Sequence, residues 1–483
     1  MKFLAWALLF LASACASTRP TSSSAPPPRP AAAPADAAPP GVPAEVDVQR
    51  RVADFLNRVA AVRHLKPRAS VEARELDRSS LIASVREHVA REIPPDVIRN
   101  QGEMLVGLGL VPPDFNYEEG AFRLLEAQLA GFYEPRDKKM YLASDLDDRA
   151  ADATLAHELV HALQDQYFDL GSRLSYQPEA NDRESALQGL AEGDATSAMM
   201  DLMLAAVHRR AIDVPDDVFV AEVEGSMGAS PEAAAVPKVL RASLVAPYVD
   251  GVLFVHALRR RGLASAAADG GGWSAVDDAW RRPPETTEQL LHLDKYDARE
   301  MPESLPNPAA PGAGWTPLYN DIFGEEGLRI AIEEWLPKRV AAAVASGWAA
   351  DRAVLFQGQV SAATAVRSRS ASARVGTPLA LMWQIRFDKD AQGGDGESRE
   401  AFKALAAAIQ SRAPGIHPTA RPAGLESICI ERSSLGPLAI ARSGRDLVVA
   451  AGPYRRDGNR VASDSVCAQT MRWVSDTLSR SKR

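Results

Sequence analysis

Between Asp147 and Phe168 the chain reads DDRAADATLAHELVHALQDQYF, and this stretch constrains the fold more than any other. It holds no Pro or Gly and is rich in Ala and Leu, so it predicts one helix of about six turns. The helix is otherwise apolar at its centre, yet it carries two of the chain's 8 histidines, His157 and His161, with Glu158 between them. A fold that takes in this helix has to give those polar groups partners.

Residues four apart on a helix are separated by about 6 Å along the axis and about 40° around it, so the two imidazoles can aim at one point. That arrangement suits zinc. Glu158, one position on, falls beside such an ion rather than on it. From there a carboxylate can take a proton from a water the metal has acidified and pass it to a leaving nitrogen. The plainer reading is a solvated or packed histidine pair. A zinc hydrolase keeps three protein ligands and one open position. The next helical stretch, ESALQGLAEGDATSAMMDLMLAAVHRR, supplies the acidic candidates Glu184, Glu192 and Asp194. Glu192 is favoured, because Ala191 and Gly193 on either side let two helices approach closely.

The N-terminus reads MKFLAWALLFLASACAS: a lysine, an apolar run too short to span a bilayer, then small residues and a cysteine. This is the pattern of an export signal, and ASAC resembles the lipobox of bacterial lipoproteins, with Cys15 as the lipidated residue. No other segment is expected to reach the length of a membrane span. Residues 15–45 form a Pro/Ala/Ser-rich tract that reads as a solvated tether. The expected location is therefore outside the cytoplasmic membrane, anchored by lipid alone, with simple secretion as the alternative. A formal net charge of −8 and the lack of a basic run argue against nucleic acid as a partner. The remaining cysteines, Cys429 and Cys467, are expected to pair in an oxidising compartment.

The rest of the chain reads as mostly helical up to residue 345. Helices are expected over 46–63, 80–93, up to Leu110, and 117–129. GFYEPRDKKMYLAS reads as a hairpin. Its first strand, Gly131, Phe132 and Tyr133, is a candidate edge for holding an extended substrate, or else a plain structural strand. Pro247 is read as a helix start, and Thr286 with Gln289 as a capping box. From 351 to 483, strand-like runs such as TPLALMWQIRF and DLVVAAGP alternate with helical segments. The expected class is α+β: a signal (1–14), a tether (15–45), a helical catalytic domain (46–345) and an α+β C-terminal domain (351–483).

HELVHALQD is similar to the HExxHAxxxD pattern of thermolysin-like gluzincins. The set GFYEPRDKKMYL, HELVHALQDQYFDL, LAEGDAT, PYVDGVLFV, GGWSAVDDAW and PPETTEQLLHLDKY resembles a bacterial family of exported, gluzincin-type metallopeptidases. The likeness covers about residues 100–300. It implies a zincin-like core, zinc on His157, His161 and Glu192, and Glu158 as base. Where that pattern has an aspartate to orient the first histidine, this chain has Thr196, so Asp165 or Asp194 is the expected orienting group. An oxyanion donor is also required. Tyr248 and His292 are the candidates from the matching segments, with His256 on the same helix as Tyr248.

The leading expectation is a zinc-dependent endopeptidase or related peptide hydrolase of the cell envelope, acting on peptides or proteins. Two others stand beside it: a lipoprotein using a zincin-like scaffold for envelope binding or assembly, and a zinc amidase acting on cell-wall peptides.

Overall fold

The computed structural model describes residues 44–228, 235–264, 270–359, 376–412, 425–432, 434–457, 460–463 and 466–480. The signal, Cys15 and most of the tether lie outside the described residues.

The class is α+β, as expected. The N-terminal helices are α1 (Ala44–Arg63), α2 (Arg78–Glu92), α3 (Pro95–Leu108) and α4 (Tyr117–Gln128), with β1 (Glu72–Leu76) between the first two. The hairpin β2 (Gly131–Glu134) and β3 (Lys139–Ala143) leads into the motif helix α5 (Asp148–Phe168). Asp147 starts α5 by accepting from Ala150 N at 2.8 Å, and Asp169 ends it in a left-handed conformation with φ 57°. In the three-stranded sheet the order is β1-β3-β2, so β2 is an edge strand beside the motif helix.

Two long helices complete the body around the motif. They are α6 (Asn181–Leu204), which carries Glu192, and α8 (Lys238–Leu263), with α7 (Asp216–Gly228) between them. A Cβ added to Gly193 would lie 2.1 Å from Gly251 O, and one on Gly251 would lie 2.0 Å from Gly189 O. The three glycines thus let α6 and α8 touch backbone to backbone. Gly193 does allow a close approach, but toward α8 rather than toward the motif helix.

Two expectations about α8 are corrected. Pro247 lies inside the helix, not at its start. By length and composition alone α8 could also cross a membrane, yet most of it is buried in the protein. After α9 (Trp273–Arg281) come the short α10 (Thr287–Leu291) and α11 (Leu293–Ala298). Thr286 caps α10 as expected, accepting from Gln289 N at 3.1 Å. The Gln289 side chain, however, accepts from Glu285 N instead of closing the box.

A seven-stranded antiparallel sheet makes the second half. Its strands are β4 (Trp315–Asp321), β5 (Trp348–Gly358), β6 (Pro378–Phe387), β7 (Glu426–Arg432), β8 (Gly436–Ser443), β9 (Asp446–Asp457) and β10 (Arg460–Ala462). The order is β4-β5-β6-β9-β8-β7, with β10 beside β9. Helices α12 (Gly324–Ile332) and α13 (Lys338–Ala345) lie between β4 and β5, and α14 (Gly396–Arg412) and α15 (Cys467–Arg480) follow later. Cys429 on β7 is bonded to Cys467 at the start of α15.

The sheet begins at Trp315, well before the boundary expected at 345–351. One apolar cluster runs from Leu81 on α2 to Tyr454 on β9. Tyr454 OH donates to Glu103 O on α3 at 3.0 Å, and Arg432 donates to Gly107 O at 2.9 Å. The two halves therefore share a core.

Candidate metal centre

The motif helix is buried from Ala151 on through Asp165 with few breaks, so its polar residues face protein on all sides. His157 is 2 % exposed, His161 1 %, and Glu158 and Glu192 0 %. Glu192 Oε2 lies 3.0 Å from His157 Nε2 and 3.6 Å from His161 Nε2, and the two imidazole nitrogens are 3.2 Å apart. Ligands about 2.0–2.1 Å from a tetrahedral zinc lie about 3.3–3.4 Å from one another. The three atoms fit one face of such a tetrahedron. Glu192 Oε1 has no hydrogen-bond partner among the described residues despite its burial, which also fits a cation-binding role. Of the other acidic candidates, Glu184 accepts from Gln177 N at 2.8 Å, and Asp194 points elsewhere.

The tautomer of His161 follows from its neighbours. Gln164 Nε2 donates to Ala191 O at 2.9 Å and to Asp194 Oδ2 at 3.2 Å. Its Oε1 is thereby turned to His161 Nδ1 at 2.8 Å and accepts that proton, so that in the neutral ring the lone pair falls on Nε2. Asp194 is in turn fixed by Arg63 Nε at 2.5 Å and Trp280 Nε1 at 2.8 Å, and Arg63 also reaches Asp277 at 2.7 Å. Asp194 thus orients the second histidine, His161, through Gln164, rather than the first, for which an orienting aspartate is expected from the sequence. Asp165 does not touch either histidine. It accepts from Tyr133 OH at 2.9 Å and from Gly171 N at 3.2 Å, and pairs with Lys138, so it anchors the hairpin.

Glu158 Oε2 accepts from the Tyr133 backbone N–H at 2.9 Å, while Oε1 has no partner among the described residues. Burial pushes its carboxyl up to about 8, against the pull of His161 and the Tyr133 N–H. Burial acts to lower His161, but Glu192 and Glu158 outweigh it and raise the imidazole to about 9. His157 is lowered, chiefly by burial. Burial raises Glu192, but the two histidines outweigh it and its carboxyl stays below the usual range.

Gly131, Phe132 and Tyr133 do form an edge strand, but all three are buried. With its N–H engaged by Glu158, Tyr133 positions that carboxylate and is not open to an extended chain. The Tyr248 ring lies 6.1 Å from the His157 ring, centroid to centroid. His292 Nε2 is instead held by Glu325 Oε1 at 2.9 Å, on α12. His256 is fully buried on α8, 3.4 Å from Asp216, and burial lowers it to about 4, a neutral core histidine.

Sequence reasoning missed Gln164, Arg63 and Trp280. Gln164 had a signal, since it lies three residues after His161 on the same helix face. Among the described residues one other acidic group, Glu288, Glu300 and Asp388, has its oxygens close together. There Lys295 Nζ lies 2.5 Å from Glu288, 2.9 Å from Asp388 and 3.5 Å from Glu300, so an ammonium already sits among the three carboxyl groups.

Neither protein-family models nor searches of curated proteins and of solved structures give a match to this chain.

Proposed function

We infer that the chain is a zinc-dependent peptide hydrolase of gluzincin type, working on peptides or proteins outside the cytoplasmic membrane. The observation that carries this reading is the convergence of His157 Nε2, His161 Nε2 and Glu192 Oε2 within 3.6 Å, beside a carboxylate that is not part of the set. A zinc ion held by those three residues would supply a Lewis acid that polarises the scissile carbonyl and acidifies a water. Glu158 takes the proton from the attacking water on its unpartnered Oε1 and delivers it to the leaving nitrogen. Tyr133 keeps that carboxylate aimed through its backbone N–H. Gln164 and Asp194 hold His161 through Nδ1 and so keep Nε2 pointed inward. Tyr248, beside His157, is assigned the hydrogen bond to the developing oxyanion.

The export signal, the Cys15 lipobox and the Cys429–Cys467 bond all support an extracytoplasmic, lipid-anchored enzyme. The test measures bound zinc and peptide cleavage together, for the parent and for Glu158→Gln. Retained zinc with lost cleavage is the expected result. Zinc without cleavage in both proteins would favour a binding scaffold, and release of cell-wall fragments in place of peptides would favour an amidase.

A further inference from the structure

Gln188 lies on α6 one turn before Glu192 and is 1 % exposed. Neither its Nε2 nor its Oε1 has a hydrogen-bond partner among the described residues. The same is true of Asn181 Oδ1, Glu192 Oε1 and Thr196 Oγ1, all on α6. Positions 181, 188, 192 and 196 are seven and four residues apart, which sets them on one face of a helix. Buried polar groups in proteins are nearly always paired, so a row of unpaired ones through Glu192 marks where a polar ligand belongs.

Gln188 is the member of that row whose side-chain amide has both its donor nitrogen and its acceptor oxygen unpaired. A side-chain amide is complementary to a peptide group: its N–H meets the carbonyl and its oxygen meets the N–H. From Gln188 to Glu192 the helix rises about 6 Å, close to the span of two residues of extended chain at about 3.3 Å each. Gln188 is as deeply buried as the four residues of the centre and lies on the Glu192 face of α6, one turn away.

We propose that Gln188 binds the substrate's main chain, pairing with a peptide group about two residues from the scissile bond. This rests on the peptide-hydrolase reading and narrows its substrate class to oligopeptides with intact amides flanking the cleaved bond.

The experiment uses Gln188→Leu, which keeps the bulk and removes both hydrogen bonds. Hexapeptide affinity is measured by calorimetry in zinc-loaded Glu158→Gln protein, with and without the second change, and kcat/KM in the protein with Glu158 intact. Both should fall about ten- to a hundredfold with zinc content unchanged. A second arm needs no variant to fold: esters replace the flanking amides of the hexapeptide one at a time. One such ester should weaken binding to the parent about tenfold, a result read on the parent alone. Unchanged affinity in Gln188→Leu, meaning that only water occupies the row, would overturn the proposal. So would a parent that binds every ester as well as the amide. A parent that neither binds nor cleaves any peptide would sink the hydrolase reading itself, and the defect would then be in the parent rather than in the variant.

Discussion

Gln164 connects His161 to Asp194: its oxygen accepts from His161 Nδ1 at 2.8 Å while its nitrogen donates to Asp194 Oδ2 at 3.2 Å. Neither contact survives in Gln164→Leu, which has a similar volume and no polar group. Partners of this kind are worth about 10–100-fold in metal affinity. Zinc affinity measured against a competing chelator should fall by that factor in Gln164→Leu, with the helical circular dichroism unchanged.

The charge behind that chain is Arg63, fully buried and bonded to Asp194 and Asp277. Arg63→Met would leave Asp194 as a buried carboxylate without its cation, which costs about 3–5 kcal/mol. Urea unfolding should report a loss of that size. Arg51→Met is the comparison, since its pairs with Asp148 and Asp152 are partly exposed and such bridges contribute about 0–1 kcal/mol.

Gly193 and Gly225 both lie within helices, yet they should respond in opposite directions. Gly193→Ala drives a methyl group to 2.1 Å from Gly251 O, so α6 and α8 must separate and carry Glu192 with them. Thermal unfolding should show a clear loss of stability together with weaker zinc binding. A Cβ added to Gly225 would meet nothing within 4 Å beyond its own helix among the described residues, and alanine there should stabilise by about 0.5–1 kcal/mol.

Asp182 ties α6 to α10, accepting from Thr287 N at 2.9 Å, and burial raises its carboxyl from 3.8 to about 7. The folded state therefore holds a proton that the unfolded chain releases between those values. Its contribution to stability is complete below about 4 and is lost as pH rises to about 7. Asp182→Asn keeps the accepting oxygen and removes the titration, so its stability should depend less on pH in that window. His256, lowered from 6.5 to about 4, acts in the other direction, adding stability as pH rises between those values. The comparison of Asp182→Asn with the parent isolates the aspartate.

Much of the centre was legible because its parts are close in sequence. The His157–His161 spacing, the extent of the motif helix and the Glu192 segment are all local patterns. Arg63 was not, since it is 131 residues from Asp194 and nothing near Arg63 signals the pairing. Pro247 was misread because a proline usually opens a helix; here it sits within one that is held by packing against α6. The start of the large sheet was missed for a similar reason. Pro317 weakens WTPLYND as a strand, but β4 lies at the sheet edge, where a missing N–H is tolerated.

X-ray absorption on the zinc-loaded protein addresses the metal directly. The account predicts one zinc per chain with two imidazole nitrogens at about 2.0–2.1 Å and a carboxylate oxygen at about 2.0–2.2 Å. It also predicts that Glu192→Ala and His161→Ala each remove one of those ligands. Stoichiometric zinc whose coordination is unchanged in both variants, or no zinc at all, would contradict it.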